Sequence, residues 1–187
     1  MANHRKMSEL PILYSEASPF KDGRSYRPGD WQSIPEIVHD AANIKGFFGP
    51  YRWLSNFGVA IVVLDGVRYN GVERAYQAAK RRVDDRAYFT TCSNEQAITY
   101  NREYQPDLYT SEEWEALRLN LMSDLQFQKY DPTLNPDNAA RLLATGERYL
   151  EETNWWGDEY WGKSLNGEGM NHSGELIMKV RTVLQAQ

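Results

Sequence analysis

The 187-residue chain holds one cysteine, Cys92, and three histidines, His4, His39 and His172. A lone thiol excludes an intramolecular disulfide framework and fits a reducing compartment. No Cys or His pair stands at ligand spacing, so no metal site is indicated, and no familiar signature links Cys92 to a catalytic base. Long apolar runs are missing as well. The longest, Val59 to Leu64, is far short of the ~20 residues a membrane-spanning helix needs. The opening stretch, MANHRKMSELPILYSE, lacks an apolar signal core. A cytoplasmic protein with no membrane partner is expected. There is no excess of basic residues either. A net charge of −5 and a pI near 5.3 argue against general polyanion binding, because counterion release needs a basic face. Neither a G-x-G-x-x-G run nor a Walker lysine occurs, so neither a Rossmann nor a P-loop site is indicated.

What is present is an ordinary globular composition, 41% hydrophobic and 25% charged, with a high aromatic share of 13%. The aromatic share points toward a surface that stacks against rings. Residues 1–43 are polar, with prolines among charges, and read as a partly irregular N-terminal extension with a short helix around Pro35 to Ala42. Residues 44–187 read as the domain proper. VAIVVLDGVRY is two apolar-rich strands joined by Asp65-Gly66, a type I′ hairpin signal. Helices dominate the remainder of the chain. Asn70 is a candidate N-cap for a helix over Gly71 to Arg82, with Val72, Ala75, Tyr76 and Ala79 as its buried stripe. Ser93 to Gln96 and Thr110 to Glu113 read as capping boxes, the second opening a long helix that stops near Tyr130. Asn135-Pro136 opens another helix, with Gly146 as its C′ residue. Ser173 caps a last helix carrying Leu176, Ile177, Val180 and Leu184. The expected fold is mainly α (α+β): a compact helical domain with a small antiparallel hairpin near its start.

Two stretches carry the polar chemistry. In GVERAYQAAKRR, Glu73, Gln77 and Lys80 share one strip of a helix bordering the apolar stripe. Glu73 and Lys80 are two turns apart, about 10 Å, which suits a carboxylate at a reacting centre and a cation on a phosphate. A solvated helix edge, with Gln77 bridging two charges, is the plainer reading. The second stretch is WWGDEYWGKSLNGEGMN, residues 155 to 171, with three of the six tryptophans among glycines. Trp161 is either a core anchor or a stacking platform for a base. The glycines would let backbone N–H groups approach a ligand.

LSNF at 54–57, LDGVRYNGVERAYQAAK at 64–80 and YWG…NGEGMNHSGELIMKVR at 160–181 resemble the NADAR (NAD- and ADP-ribose-associated) family. The likeness runs from about Phe47 to Leu184. It implies the YbiA-like, mostly helical fold of that family and N-glycosidase chemistry, with no cofactor. The partners it implies are ribosylated nucleobases, ADP-ribose or phosphorylated ribosylamines, and ADP-ribosylated nucleic acid. Glu73, Asp158 and Trp161 fall on the family's motif positions and are the expected catalytic residues; by analogy with carboxylate-assisted glycoside hydrolysis, Glu73 is expected to orient water and stabilise a cation, Asp158 to orient a ribose hydroxyl or act as second carboxylate, and Trp161 to stack. Asn56, Gln77, Lys80, Gly162, Gly167, Gly169 and Asn171 fall in the family's motifs and are expected to bind substrate, with Arg52, outside those motifs, as a candidate to join Lys80 in holding a phosphate. Arg74 stands where the family commonly has His, Ser164 where it has Gly, Asn166 where it has Asp. An extra residue falls between Glu152 and Asp158. Arg74 and Lys80-Arg81-Arg82 could form a basic rim. A non-catalytic module binding ADP-ribose is the alternative reading.

Overall fold

A computed structural model describes residues 29–187, and in addition the antiparallel backbone pairing of Ser18–Pro19 (β1) with Ser25–Tyr26 (β2). The sequence-expected helix over 35–42 does not form. A 3-10 turn covers Asp30–Ser33, and His39 bridges to Ile44 instead. Asp40 is the reason: its Oδ1 accepts the backbone N–H of Ala42 at 2.8 Å and of Asn43 at 2.6 Å, turning the chain into a strand. That strand, Asn43–Lys45 (β3), is followed by a 3-10 helix over Gly49–Leu54.

The hairpin forms where expected, as Val62–Leu64 (β4) and Val67–Tyr69 (β5). Asp65 and Gly66 both take positive φ, 49° and 78°, as a type I′ turn requires. The side chain of Gln128 reaches across to bracket Val63, accepting from its N–H at 2.7 Å and donating to its carbonyl at 3.0 Å. A helix thereby satisfies the free edge of the hairpin.

Five α-helices complete the domain among the described residues: Val72–Ala79 (α1), Asn94–Glu103 (α2), Ser111–Lys129 (α3), Pro136–Leu143 (α4) and His172–Gln185 (α5). Ser93 and Thr110 form complete capping boxes with Gln96 and Glu113. Two other expected N-caps are displaced, and a third, Asn135 ahead of Pro136, forms without its capping bond. Gly71, not Asn70, is the N-cap of α1, and Asn56 accepts the Glu73 N–H at 3.1 Å through its carbonyl. Asn135 is an N-cap without a capping bond, because its side chain instead holds Ile61 by N–H and C=O, at 2.7 and 2.8 Å. Asn171, in left-handed backbone, precedes α5, so Ser173 lies inside the helix. Gly146 is left-handed as expected but falls two residues past the C-cap Ala144.

Two parallel pairings had no counterpart in the sequence reading. β3 pairs with Tyr149–Glu151 (β6), and Thr153–Asn154 (β7) pairs with Lys163–Ser164 (β8). These strands are two or three residues long, too short to show a period. One core cluster gathers Val62, Tyr69, Val72, Phe89, Met122 and Leu125 around α1. A second joins Ile44, Leu54, Tyr130, Leu142, Leu150 and Ile177 under α5. The long α3 contributes to both. A third cluster sets Ile34, Phe48, Trp155 and Leu165 together, with Trp31 and Ile37 packed against it. Part of the stretch read as an extension is therefore built into the core.

Candidate active site

Burial of α1 decides the character of the site. Its small residues let neighbours close in on almost every side, so Val72, Glu73, Ala75, Tyr76, Gln77, Ala78 and Ala79 are all buried. The strip holding Glu73 and Gln77 is thus interior. Glu73 is 8% exposed, and burial raises its pKa above the usual carboxylate range; hydrogen bonding by Gln77 and the charge of Lys80 partly oppose this. Gln77 donates from Nε2 to Glu73 Oε1 at 2.8 Å and accepts from Lys80 Nζ at 3.0 Å. The plainer reading of the sequence was right that Gln77 bridges the two charges, but the bridge is not solvated.

Lys80 lies over the rings of Tyr76, at 5.0 Å, and Trp114, at 5.2 Å. Burial lowers its pKa, as do the charges of Arg102 and Arg118, while Glu73 raises it. The guanidinium of Arg118 rests 3.3 Å from the Tyr160 ring centroid. Tyr160 meets Trp161 edge-on at 4.8 Å, and Trp161 meets Tyr76 at 5.7 Å. Lys80 and Arg118 therefore lie along one aromatic wall. Arg52, by contrast, is exposed, with its guanidinium over Phe57.

The wall continues into a group of carboxylates. Asp158 Oδ1 accepts the N–H groups of Tyr160 and Trp161, at 3.2 and 2.9 Å, so it shapes the turn that presents Trp161. Glu152, which sequence reasoning did not single out as a functional residue, stands close enough to sense the charges of both Asp158 and Glu73. Burial is the largest cause, those charges add to it, and its pKa is pushed up to about 7. The Ser173 hydroxyl and the charge of Lys129 act in the other direction. No periodic signal marks Glu152. It is brought to the site by the β3–β6 and β7–β8 pairings that flank it.

The segment 54–56 is clasped by α3. Lys129 is fully buried, with Nζ donating at 2.8 Å to the carbonyls of both Leu54 and Ser55. Burial brings its pKa down to about 7. One helical turn earlier, Gln126 donates to Asn56 Oδ1 at 2.7 Å. Asn56 is half-buried, and its amide NH₂ has no hydrogen-bond partner among the described residues.

Other expected residues are engaged within the fold. A Cβ at Gly162 would be driven into the Glu152 carbonyl, and one at Gly169 into the carbonyl of Gly162, so both glycines permit close chain packing. Gly167 is exposed, at a turn with its N–H on the Ser164 carbonyl at 2.8 Å. Asn171 is buried; it accepts the Glu152 N–H at 2.9 Å and donates to the Leu150 carbonyl at 3.0 Å. Its side chain orients the backbone at Glu152. Arg74 donates to the carbonyls of Cys92 and Asn70, and Arg81 to Asn101, so both are held within the fold by neutral acceptors; Arg82 is exposed. Burial pushes the Cys92 thiol up to about 11, which suits an inert core residue. Of the paired tryptophans, Trp155 packs inward on Phe48 and Trp156 is 46% exposed. Among the described residues no three His, Cys, Asp or Glu side chains are arranged to hold a metal ion, and no helix is long and apolar enough to cross a membrane.

Comparison with known proteins came to one family. Residues 24–185 match the NADAR domain. A riboflavin biosynthesis protein of Vibrio vulnificus is 30% identical over 145 residues, covering 72% of this chain and 36% of that protein. The chain thus spans about a third of that relative's length. An N-glycosidase of Nostoc punctiforme is 28% identical over 137 residues, 71% of this chain and 85% of the relative. The solution structure of Escherichia coli YbiA has the same fold, with a TM-score of 0.64 at 24% identity over 81% of this chain and 90% of YbiA.

Proposed function

The chain belongs to the NADAR family, and from that premise we propose that it is an N-glycosidase, a hydrolase cutting the C–N bond between ribose C1′ and a base or amine. One observation carries the reading: Glu73 on α1 shares one electrostatic environment with Glu152 and Asp158, which lie six residues apart on the segment that presents Trp161. The Nostoc relative's name is of the same reaction class.

When the C1′–N bond breaks, its electron pair leaves with the nitrogen and C1′ gains oxocarbenium character. A carboxylate near C1′ lowers that barrier, and a proton on the leaving nitrogen completes departure. Glu73 is assigned the first role: held by Gln77, its carboxylate faces the cation and draws a proton from the water that adds to C1′. Glu152, poised near neutrality, is assigned the proton delivered to the nitrogen. Asp158 has one oxygen committed to the Trp161 turn and offers the other to a ribose hydroxyl. Trp161 stacks on base or ribose, and the amide NH₂ of Asn56, whose oxygen is held by Gln126, reaches a sugar oxygen. Lys80, with Arg118 in place of Arg52, takes the phosphate, because these two cations share the wall next to the carboxylates.

Two substrates suit this chemistry: ADP-ribose on guanine of DNA, and a phosphorylated ribosylamino-pyrimidine of the kind riboflavin synthesis produces. Wild type should release free base or amine from at least one. Glu73→Gln should slow release by ~10²-fold to ~10⁴-fold, the range for loss of a positioned acid–base group. No release from either substrate by wild type would sink the reading, whereas full rate in Glu73→Gln would sink only the role given to Glu73.

A further inference from the structure

We propose that Asn101, on α2, is a positioning residue that locks the orientation of the Gln77 amide, and through it keeps a hydrogen-bond donor on the Glu73 carboxylate. The kinetic consequence rests on the N-glycosidase reading, while the lock itself rests on geometry alone.

The two ends of a glutamine amide are almost the same size, and the torsion that exchanges them is broad and roughly two-fold. Gln77 could therefore turn either its NH₂ or its oxygen toward Glu73. An oxygen there would set a negative dipole against a carboxylate. The choice between the two is made by a chain of partners whose roles are chemically unambiguous.

Asn101 is 8% exposed and makes three hydrogen bonds. Its Oδ1 accepts from Arg81 Nε at 2.8 Å, and an arginine can only donate. Its Nδ2 donates to the Gln77 backbone carbonyl at 2.8 Å, and a carbonyl can only accept. Both partners demand the same orientation of Asn101. With that settled, the Asn101 NH₂ at 2.9 Å requires an acceptor from the Gln77 side chain, so Oε1 must face it. Lys80 Nζ, also a pure donor, makes the same demand on Oε1 at 3.0 Å. Only the Gln77 NH₂ is left for Glu73, which it meets at 2.8 Å. Arg81 is itself held by stacking on Tyr100, 5.1 Å from the ring. A surface-side arginine thus dictates, through two amides, what a buried carboxylate sees.

The charged groups facing Glu73 are Lys80 from its own helix, Glu95 from α2, and Asp158 and Glu152 from the segment between β6 and β8. Those carboxylates favour the protonated form of Glu73, so the Gln77 donor and Lys80 are what oppose protonation. Turning the amide over removes one of these and leaves the Lys80 ammonium without its oxygen.

Asn101→Asp is the direct test. The introduced carboxylate is close in shape and keeps Arg81 as counter-charge, but it can only accept, so it pulls the Gln77 NH₂ away from Glu73. The Glu73 carboxyl would be followed by ¹³C NMR titration of labelled glutamate, its signal identified by loss in Glu73→Gln. Asn101→Asp is expected to raise the Glu73 midpoint by about one pH unit more with Gln77 present than in a Gln77→Leu background, where only direct charge repulsion survives. The ascending limb of the pH profile of kcat/KM should move with it. Asn101→Ala, which adds no charge and suits a helix, should raise the midpoint in the same direction by less. Equal shifts in the two backgrounds, or no shift in either Asn101 variant, would overturn the lock. An intact NMR shift in a protein that turns over neither substrate would instead tell against the glycosidase reading and leave the lock standing.

Discussion

Glu152 illustrates how a side chain suited to chemistry can work against its own fold. Its pKa is raised to about 7 chiefly by burial, above the 4.5 of a free glutamate. The folded state therefore binds a proton that the unfolded state releases between those values. The contribution is favourable below pH ~4.5 and is lost as pH rises through ~7. Replacing the residue with a neutral isostere, Glu152→Gln, should flatten the fall in thermal midpoint between pH 5 and 7.5 seen by differential scanning calorimetry. The same variant should abolish the descending limb of the pH–rate profile, if Glu152 delivers the proton. Among single residues the sequence was informative where a helical period organised them, as for Glu73 and Gln77 on α1 and Lys80 at its C-cap. It was silent on Glu152, Gln126, Lys129 and Asn101. Each of these acts through a partner tens of residues away, so no local spacing records it: Lys129 reaches Leu54 and Ser55, and Asn101 reaches Gln77.

Among elements, α5 shows the tightest constraint. Gly174 sits in its first turn against β6, where an added Cβ would strike the Leu150 carbonyl and the Asn171 amide. Backbone cannot yield as a flexible side chain can, so Gly174→Ala should push α5 off the strand. A loss of about 2 kcal/mol is expected from the cost of overpacking, measured by urea denaturation. The effect should reach the site, because the displaced Asn171 also holds the Glu152 N–H. Element boundaries were legible where a side chain caps its own helix, as Ser93 and Thr110 do. They were not legible at Gly71 and Asn171, where the exposed N–H groups or the helix entry are settled by other parts of the chain. The parallel pairs β3–β6 and β7–β8 belong with these, since two or three residues carry no pattern of their own.

Across the full chain, the division between extension and domain changes meaning. Trp31 and Ile37 pack on a cluster formed by Ile34, Phe48, Trp155 and Leu165. A chain beginning at residue 44 would lose Ile34, buried at 2%, and uncover apolar surface around Trp155. Such a truncation should aggregate or melt well below the full chain, whereas one beginning at residue 29 retains this cluster; size-exclusion chromatography and a thermal melt of both would decide it. The family, the helical character, the hairpin and the strip on α1 could all be read from the residues alone, because these depend on local periodicity, turn chemistry and motif order. It took the folded chain to establish that this strip is buried, that Glu152 joins Glu73 and Asp158, that Arg118 shares the wall with Lys80, and that several loop glycines serve packing. Burial and convergence are properties of segments brought together from across the chain, and the free energy that titrates a carboxylate depends on that company rather than on its neighbours in sequence.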